Sequence, residues 1–535
     1  MTAVATFDAG SAIAAPRSPA DLPTAHKVLA LGIMSVGFFI AYLDIQIVAA
    51  SIKEIGGGLS ASQDEVSWVQ TSYLIAEIIV IPLSGWLSRV MSTRWLFTAS
   101  AAGFTLASAL CASAWDIHSM IVFRALQGFL GGSMIPLVFT SALTFFQGKQ
   151  RVIAASLVGA LASLGPTFGP VVGGWITDNW SWHWLFYVNV APGLLVTLLV
   201  PLLVDVDRPN LGLLKGADYA GMMLMAVFLG CLEYVLEEGP RWDWLGDDTI
   251  RHCAWISAAA GVGFVIRSLT FAQPVVDLRA LKIRNFALGS WFSFITGLGI
   301  FSTVYLTPLF LGRIRGFDAW QIGTALLSAG VFQLVAVMIY GAVANRIDLR
   351  WLLMFGLACF AVAMWMLTSV THEWGWRELL IPQAFRGLAQ QFCVAPVVTL
   401  TLGALAPDRL KSASGLFNLM RNLGGAIGIA ACGTILNDRA NLHFHRIADH
   451  LGTTNANVAE LIDSTISRYA ATWGDPVHAH AATLKSLWLL AFREAQVQAF
   501  ADAYLMITAC FVLACVMVPL MRKVAPPQSP SADAH

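Results

Sequence analysis

The chain has 535 residues, of which 57% are apolar and only 12% charged, and its formal net charge is zero. Soluble chains carry about 25% charged residues, so this composition excludes an ordinary soluble domain. The balanced charge offers nothing to attract nucleic acid, and the eight cysteines show no CxxC pair or metal-ligand spacing.

Residues 1–26 are polar, rich in Ala, Pro and Ser, and poor in Lys and Arg. They lack the basic, apolar and cleavage regions of a secretory signal and are expected to form a disordered cytoplasmic tail. Apolar stretches of about 20 residues, enough to cross a bilayer, then follow one another. Fourteen are marked: 28–50, 66–87, 95–114, 118–146, 152–176, 184–204, 217–236, 250–270, 286–311, 320–343, 351–370, 377–405, 412–436 and 495–521.

The first stretch carries Asp44 late in its length. The second places Gln70, Tyr73, Glu77 and Ser84 near one helical face. The fourth holds Arg124 and Gln127. The fifth contains Gly165, Pro166, Gly169, Pro170, Gly173 and Gly174. Glycines at every fourth position make a flat face on which two helix backbones can touch, and each proline removes an intrahelical donor and bends the helix. A kinked helix with a flat face is expected to pack, slide or rock between the two halves of the protein. The twelfth stretch sets Gln383, Arg386 and Gln390 on one face, and the thirteenth does the same with Ser414, Asn418 and Arg421. Segment 437–494 is polar, contains five histidines and must lie outside the bilayer. Within it, Val458, Leu461, Ile462 and Ile466, and then Leu487, Leu490, Ala491 and Ala495, recur at helical spacing. One or two amphipathic helices are therefore expected at the outer surface, resting on lipid or receiving a partner.

Lys and Arg set the orientation. With the N-terminus cytoplasmic, eighteen of them fall in inner segments and six in the short outer loops, so both termini are expected in the cytoplasm. A weak repeat relates Gly85 and Arg89 to Gly341 and Arg346, and Arg124 to Arg386, at offsets of 256 and 262 residues. The expected fold is an all-α polytopic membrane protein. Its parts are an N-terminal six-helix bundle (27–204), two inserted helices (205–285), a C-terminal six-helix bundle (286–521) and a short cytoplasmic tail (522–535). Duplicated halves flanking a midplane site are a common transporter plan.

Ionisable groups within a span are costly and by default functional. Asp44, Glu77 and Arg124 are the proton-coupling candidates, because burial disfavours the charged form of a carboxylate and a nearby arginine restores it. An arginine moving towards or away from a carboxylate could load or release a proton; the plainer alternative is a permanent ion pair that holds helices together. Gln70, Tyr73, Gln127, Gln383, Arg386, Gln390, Asn418 and Arg421 are the candidates for the wall of a wet substrate cavity.

These residues also carry a family resemblance. Arg124, Gln127, Gly128 and Gly132 match an RxxQGxxxG pattern, and Gly165, Gly169, Pro170, Gly173 and Gly174 match GxxxGPxxGG. Leu43, Asp44, Ile47 and Val48 resemble an LDxTIV pattern. Trp182 to Asn189, Asp218 to Gly221, and Ser414, Asn418, Arg421, Gly424 and Gly425 fit the same set. Together they resemble the fourteen-helix drug:proton antiporter branch of the major facilitator superfamily, the EmrB/QacA-like multidrug exporters. The loop from Gly85 to Arg94 departs from the superfamily's GxLADRxGRK: Arg89 stands at its aspartate and Ser92 at its second glycine.

The resemblance implies proton-driven export of small amphipathic compounds across a bacterial inner membrane. The long outer segment looks like that of members that dock a periplasmic adaptor and, through it, an outer-membrane channel. A proton-linked importer is the alternative within the same architecture. A membrane sensor or enzyme using His443, His445, His450, His478 and His480 is the alternative from another class, although no spacing there completes a metal site. No Walker-type phosphate loop occurs, so ATP is not the expected energy source, and no cofactor is implied.

Overall fold

The computed structural model describes residues 23–344, 346–403, 405, 407–451, 456–473 and 475–523. The two expected cytoplasmic tails lie almost wholly outside the described residues. The chain runs through α1 (Thr24–Ala50), α2 (Ile52–Gly58), α3 (Gln63–Met91), α4 (Thr93–Ala112), α5 (Ile117–Gly131), α6 (Met134–Phe145), α7 (Gly148–Asn179), α8 (Trp184–Tyr187) and α9 (Val190–Leu203). It continues through α10 (Tyr219–Glu238), α11 (Asp248–Thr270), α12 (Arg284–Arg315), α13 (Ala319–Val343), α14 (Leu349–Leu367), α15 (Trp376–Leu402), α16 (Pro407–His450), α17 (Ala456–Trp473) and α18 (Pro476–Met517). Among the described residues, twelve helices are long and apolar enough to cross a membrane, with α5–α6 and α8–α9 each counting as one. The expected fifth and twelfth spans are the 32-residue α7 and the 27-residue α15, both packed among the others.

Local chemistry sets the helix ends. The Ser62 hydroxyl accepts from the Glu65 amide, and the Glu65 carboxylate accepts from the Ser62 amide, closing a capping box on α3. Asp116 and Ser119 cap α5 in the same way, and Asp318 and Gln321 cap α13. Gly316 ends α12 in the left-handed region at φ 67°, which costs glycine nothing. Ser92, between α3 and α4, takes φ 74° where the family pattern has a glycine. Its hydroxyl caps α4 by accepting from the Trp95 amide.

Glycines then fix which helices touch. A Cβ on Gly128 of α5 would lie 2.3 Å from the Tyr73 carbonyl oxygen on α3, and one on Gly387 of α15 would lie 2.0 Å from the Ala329 carbonyl oxygen on α13. The same backbone approach thus occurs once in each half, at the helices that the sequence repeat relates. On α12 and α16, a Cβ at Gly297 would lie 1.9 Å from the Arg421 carbonyl oxygen, and one at Gly424 would lie 2.0 Å from that of Phe294.

Two expectations need correction. The face of Gly165, Gly169 and Gly173 does not look across to the other half. It seats α7 on α1, against Tyr42, Gln46 and Ile47. The other faces of α7 meet the C-terminal helices, with Val171 against Gly323 of α13 and Gly159 against Val394 of α15. The side chains of Pro166 and Pro170, on which the expected bend rests, lie outside the described residues.

The outer segment, secondly, holds one separate helix, α17, over the first expected run, whereas the second run lies within α18 and is not a helix of its own. At 44 and 42 residues, α16 and α18 are about 66 and 63 Å long, well beyond a ~30 Å hydrocarbon core. Their extensions pack together through Phe444, Trp488 and Phe492, the last two stacked at 5.0 Å. Helix α17 packs on α18, so much of its apolar face is already half-buried within the chain. Leu461 on α17, and Leu484, Trp488, Leu489 and Leu490 on α18, stay exposed.

Candidate functional site

The core of the N-terminal half holds a polar cluster with no measurable exposure at Asp44, Arg124 or Gln127. Arg124 Nη1 donates to Asp44 Oδ2 at 2.6 Å. The other carboxylate oxygen, Oδ1, accepts from Asn189 Nδ2 at 2.6 Å and Gln127 Nε2 at 3.1 Å. The guanidinium also donates from Nε to the Val69 carbonyl (3.0 Å) and from Nη1 to Gln127 Oε1 (2.7 Å). Gln127 Nε2 reaches Ser108 Oγ at 2.8 Å. The Tyr73 ring lies under the guanidinium, 4.3 Å from its carbon.

Five helices meet here: α1 brings Asp44, α3 Tyr73, α4 Ser108 and α5 Arg124, while Asn189 stands at the start of α9. A buried pair is strongly held only when its remaining lone pairs and protons are satisfied. Asp44 meets that condition with three donors, whereas Arg124 Nη2 and the Tyr73 hydroxyl have no hydrogen-bond partner among the described residues. The cluster is therefore closed around Asp44 and has spare donors beside it. In the state described, Tyr73 and Gln127 belong to this cluster and are not among the residues lining the central cavity.

Glu77 is separate. It is buried, no ion pair reaches it among the described residues, and it lines a cavity of about 90 Å³. Gln70 of α3, Tyr42 and Gln46 of α1, Phe301 of α12, and Asn422 and Gly425 of α16 share that wall. So do Glu233 and Glu237 of α10. Sequence reasoning misses both of these, because α10 is one of the two inserted helices and is set apart from the bundles. The signal is present nonetheless: Glu233 lies within the apolar run 217–236, and Glu237 follows it on the same face at i+4. Asn189 and Ser108 are also missed as cluster members.

Helix α10 is fixed to α3 by Trp68 stacked on Tyr234 at 5.3 Å, and by the Thr71 hydroxyl donating to Glu238 at 3.2 Å.

In the C-terminal half, Arg386 Nε donates to Gln383 Oε1 at 2.6 Å and, among the described residues, has no acidic partner. Gln390 is buried on the same helix. Arg421 Nη2 donates to Asn418 Oδ1 at 2.9 Å and reaches the Tyr42 hydroxyl at 3.4 Å across the two halves, with the Phe139 ring 4.9 Å from its guanidinium carbon. Thr140 and Ser414 join the halves by a 2.9 Å hydrogen bond. Of the cavity-wall candidates, then, only Gln70 lines the central cavity. Gln383, Arg386, Gln390 and Asn418 are buried beside their neighbours, and Arg421 bridges to Tyr42.

A second, apolar groove of about 510 Å³ runs between α1, α7 and Leu334 of α13, lined by Val28, Leu31, Phe39, Ile153 and Leu157 among others. Among the described residues it holds no ionisable side chain, and it lies nearer the first turns of α1 than the ion pair does. In the outer segment, His443 is held by Asp502 at 2.9 Å and His478 by Asp475. No group of three or more His, Cys, Asp or Glu is placed to hold a metal ion among the described residues.

Arg124 uses three separate donor directions: to Asp44, to Gln127 and to the Val69 carbonyl. An ammonium cannot reproduce that planar fork. Arg124→Lys is therefore expected to insert normally yet lower coupled transport by about tenfold or more, roughly the effect of one lost charge-assisted hydrogen bond. Wild-type transport rates in membrane vesicles would show that charge alone suffices.

The profile of the Major Facilitator Superfamily matches residues 34–438. The colistin resistance protein EmrB of Acinetobacter baumannii is 37% identical over 436 residues, covering 82% of this chain and 85% of that protein. The fatty acid resistance protein FarB of Neisseria gonorrhoeae is 30% identical over 82% of this chain and 87% of its own length. The multidrug export protein EmrB of Escherichia coli K12 is 30% identical over 82% and 85%. Among solved structures, the proton:xylose symporter XylE superposes with a TM-score of 0.56 at 14% identity, covering 94% of this chain and 97% of that one, a likeness of fold alone.

Proposed function

We infer that this chain, which belongs to the Major Facilitator Superfamily, is a multidrug efflux transporter that exchanges lipophilic or amphipathic substrates for protons by alternating access. The observation that carries the coupling is the buried pair of Asp44 and Arg124, set beside Glu77, which lies in the central cavity and has no ion-pair partner among the described residues. A carboxylate that can lose its arginine to a neighbour is one that can take a proton instead. At about 90 Å³ the central cavity is far below the ~300–1,000 Å³ of a drug site, so the halves must part to admit substrate. The apolar groove along α1 and α7 is of drug-site size, and its lining suits a molecule arriving from the cytoplasmic leaflet. Export fits the relatives, three of which are named for resistance or multidrug export.

The test is transport in inverted membrane vesicles under an imposed pH gradient, with a panel of toxic lipophilic compounds. Accumulation that collapses with the gradient is expected. Accumulation only in right-side-out vesicles would make the protein an importer, and accumulation in neither would remove the transport reading.

We further propose an inner-membrane location with both termini cytoplasmic, which places the paired extensions of α16 and α18 in the periplasm. Their exposed Leu484, Trp488, Leu489 and Leu490 form an apolar surface away from the bundle, as an adaptor contact of a three-component pump requires. Replacing the exposed Leu484, Leu489 and Leu490 by serine should abolish cross-linking to a co-expressed adaptor and lower whole-cell resistance, while vesicle exchange persists. Unchanged cross-linking would end the docking idea, and loss of vesicle exchange would make that surface part of the transport core.

A further inference from the structure

Glu233 and Glu237 have no place in the coupling scheme above, yet they share a cavity with Glu77. Three carboxylates line about 90 Å³, and none of the cavity's lining residues is basic. Glu233 is 5% exposed, its Oε2 has no hydrogen-bond partner among the described residues, and it stands within electrostatic range of both Glu237 and Glu77. Gln70 Oε1 and Asn422 Oδ1 on the same wall are also buried without partners among the described residues. Like charges crowded into so small a space in low dielectric cannot all stay ionised, so the cavity must hold a proton or another cation. The unpartnered acceptors suit a few waters linking the carboxyls.

A second cavity of about 300 Å³ adjoins the first and shares Glu237 and Ile429 with it. Its wall is made by Pro240 and Arg241 just past α10, Tyr305 and Arg313 near the end of α12, and Gly433 and Asn437 of α16. These positions lie at the outer end of the bundle, so half-buried Glu237 stands in the partition between outer mouth and central cavity.

We propose that α10 carries the route by which protons enter the central cavity from the outer side, through Glu237 and then Glu233 to Glu77. A proton taken from outer water by the Glu237 carboxylate passes through cavity water to Glu233 and on to Glu77, leaving Glu237 ionised again. Arg241 and Arg313 line the outer mouth together with Glu237. Glu238 is held outside the file by Thr71 and Trp242, and its ion pair to Arg241 spans 3.9 Å. Of the remaining groups, Tyr42 of α1 faces the cavity, with Arg421 of α16 behind it; Tyr305 of α12 faces the mouth, and Tyr234 of α10 lies under Trp68. The inserted helix is thereby part of the coupling machinery and not a spacer. The direction of flow rests on the antiport reading; the route itself does not.

The full-length protein in liposomes, treated with dicyclohexylcarbodiimide, tests the route. The reagent modifies protonated carboxyls in apolar surroundings, and modified residues are read by mass spectrometry. Labelling of Glu233 should rise when pH is lowered on the outer side and not when it is lowered on the terminus side. Glu237→Gln should slow that response by about 100-fold, the low end of what a positioned proton carrier contributes, and Glu237→Asp should restore it. Labelling that follows the terminus-side pH, or that ignores Glu237→Gln, overturns the route. If Glu233 responds as expected while wild-type vesicles show no gradient-driven export, the route stands and the antiport reading falls.

Discussion

Asp44→Ala is expected to cost about 3–5 kcal/mol of stability, because it leaves the Arg124 guanidinium as an uncompensated buried charge. Arg124 has 0% side-chain exposure and cannot turn to water without opening five packed helices. Thermal unfolding in detergent reads the loss. Removing Arg124 together with Asp44 should recover much of it, since the double variant no longer buries a lone charge. Additive losses in the pair would mean that the two residues are not energetically coupled. Asp44→Asn leaves the same charge uncompensated but keeps an oxygen that accepts hydrogen bonds, so it should lose less stability than Asp44→Ala. The amide can still accept from Asn189 or Gln127, so the protein should insert and bind substrate, but it cannot carry a proton. Gradient-driven exchange should fall by about 100-fold or more. Wild-type exchange by Asp44→Asn would reduce the pair to a structural clamp and shift the coupling to Glu77 and the α10 carboxylates.

Asp44, Glu77 and Arg124 are legible in the sequence because each is a lone charge in an apolar run. That Asp44 and Arg124 pair while Glu77 does not is a matter of tertiary packing between helices 80 residues apart. Glu233 and Glu237 sit near the end of an apolar run, where a carboxylate can equally face water at the membrane surface. The stacking of Tyr234 on Trp68 and the hydrogen bond from Thr71 to Glu238 seat α10 on α3, with that face lining the cavity. The glycine spacing of α7 announces a close neighbour, but spacing alone does not say which helix that neighbour is. The outer helices show their periodicity plainly. What periodicity omits is that α16 and α18 run on without a break and pair with each other, which depends on Phe444 meeting Trp488 and Phe492.

Gly169→Leu should cost about tenfold or more in transport, through α1 and not through the interface between the halves. Even a Cβ at Gly169 would lie 2.3 Å from Gln46 Cβ, and a leucine adds three more carbons to the same contact. Gln46 Cβ is fixed by the α1 backbone, whose Cα and carbonyl carbon at Gln46 lie 3.2 Å from the added Cβ, so rotamer changes cannot relieve the contact and α1 must move. Overpacking of this kind costs about 1–3 kcal/mol in a tight core. The consequence for function follows from what α1 carries: Tyr42 and Gln46 line the central cavity, and Asp44 between them must stay within 2.6 Å of Arg124. Displacing α1 therefore disturbs the ion pair and the cavity wall together. Gly169→Ala should show a smaller loss of the same kind. Gly341→Ala is the control, since nothing lies within 4 Å of its added Cβ. Export and proton leak would be followed in the same vesicles for all three variants. Wild-type export by Gly169→Leu would show that α1 can shift without disturbing Asp44, and would leave the α7 glycines with a role in packing alone.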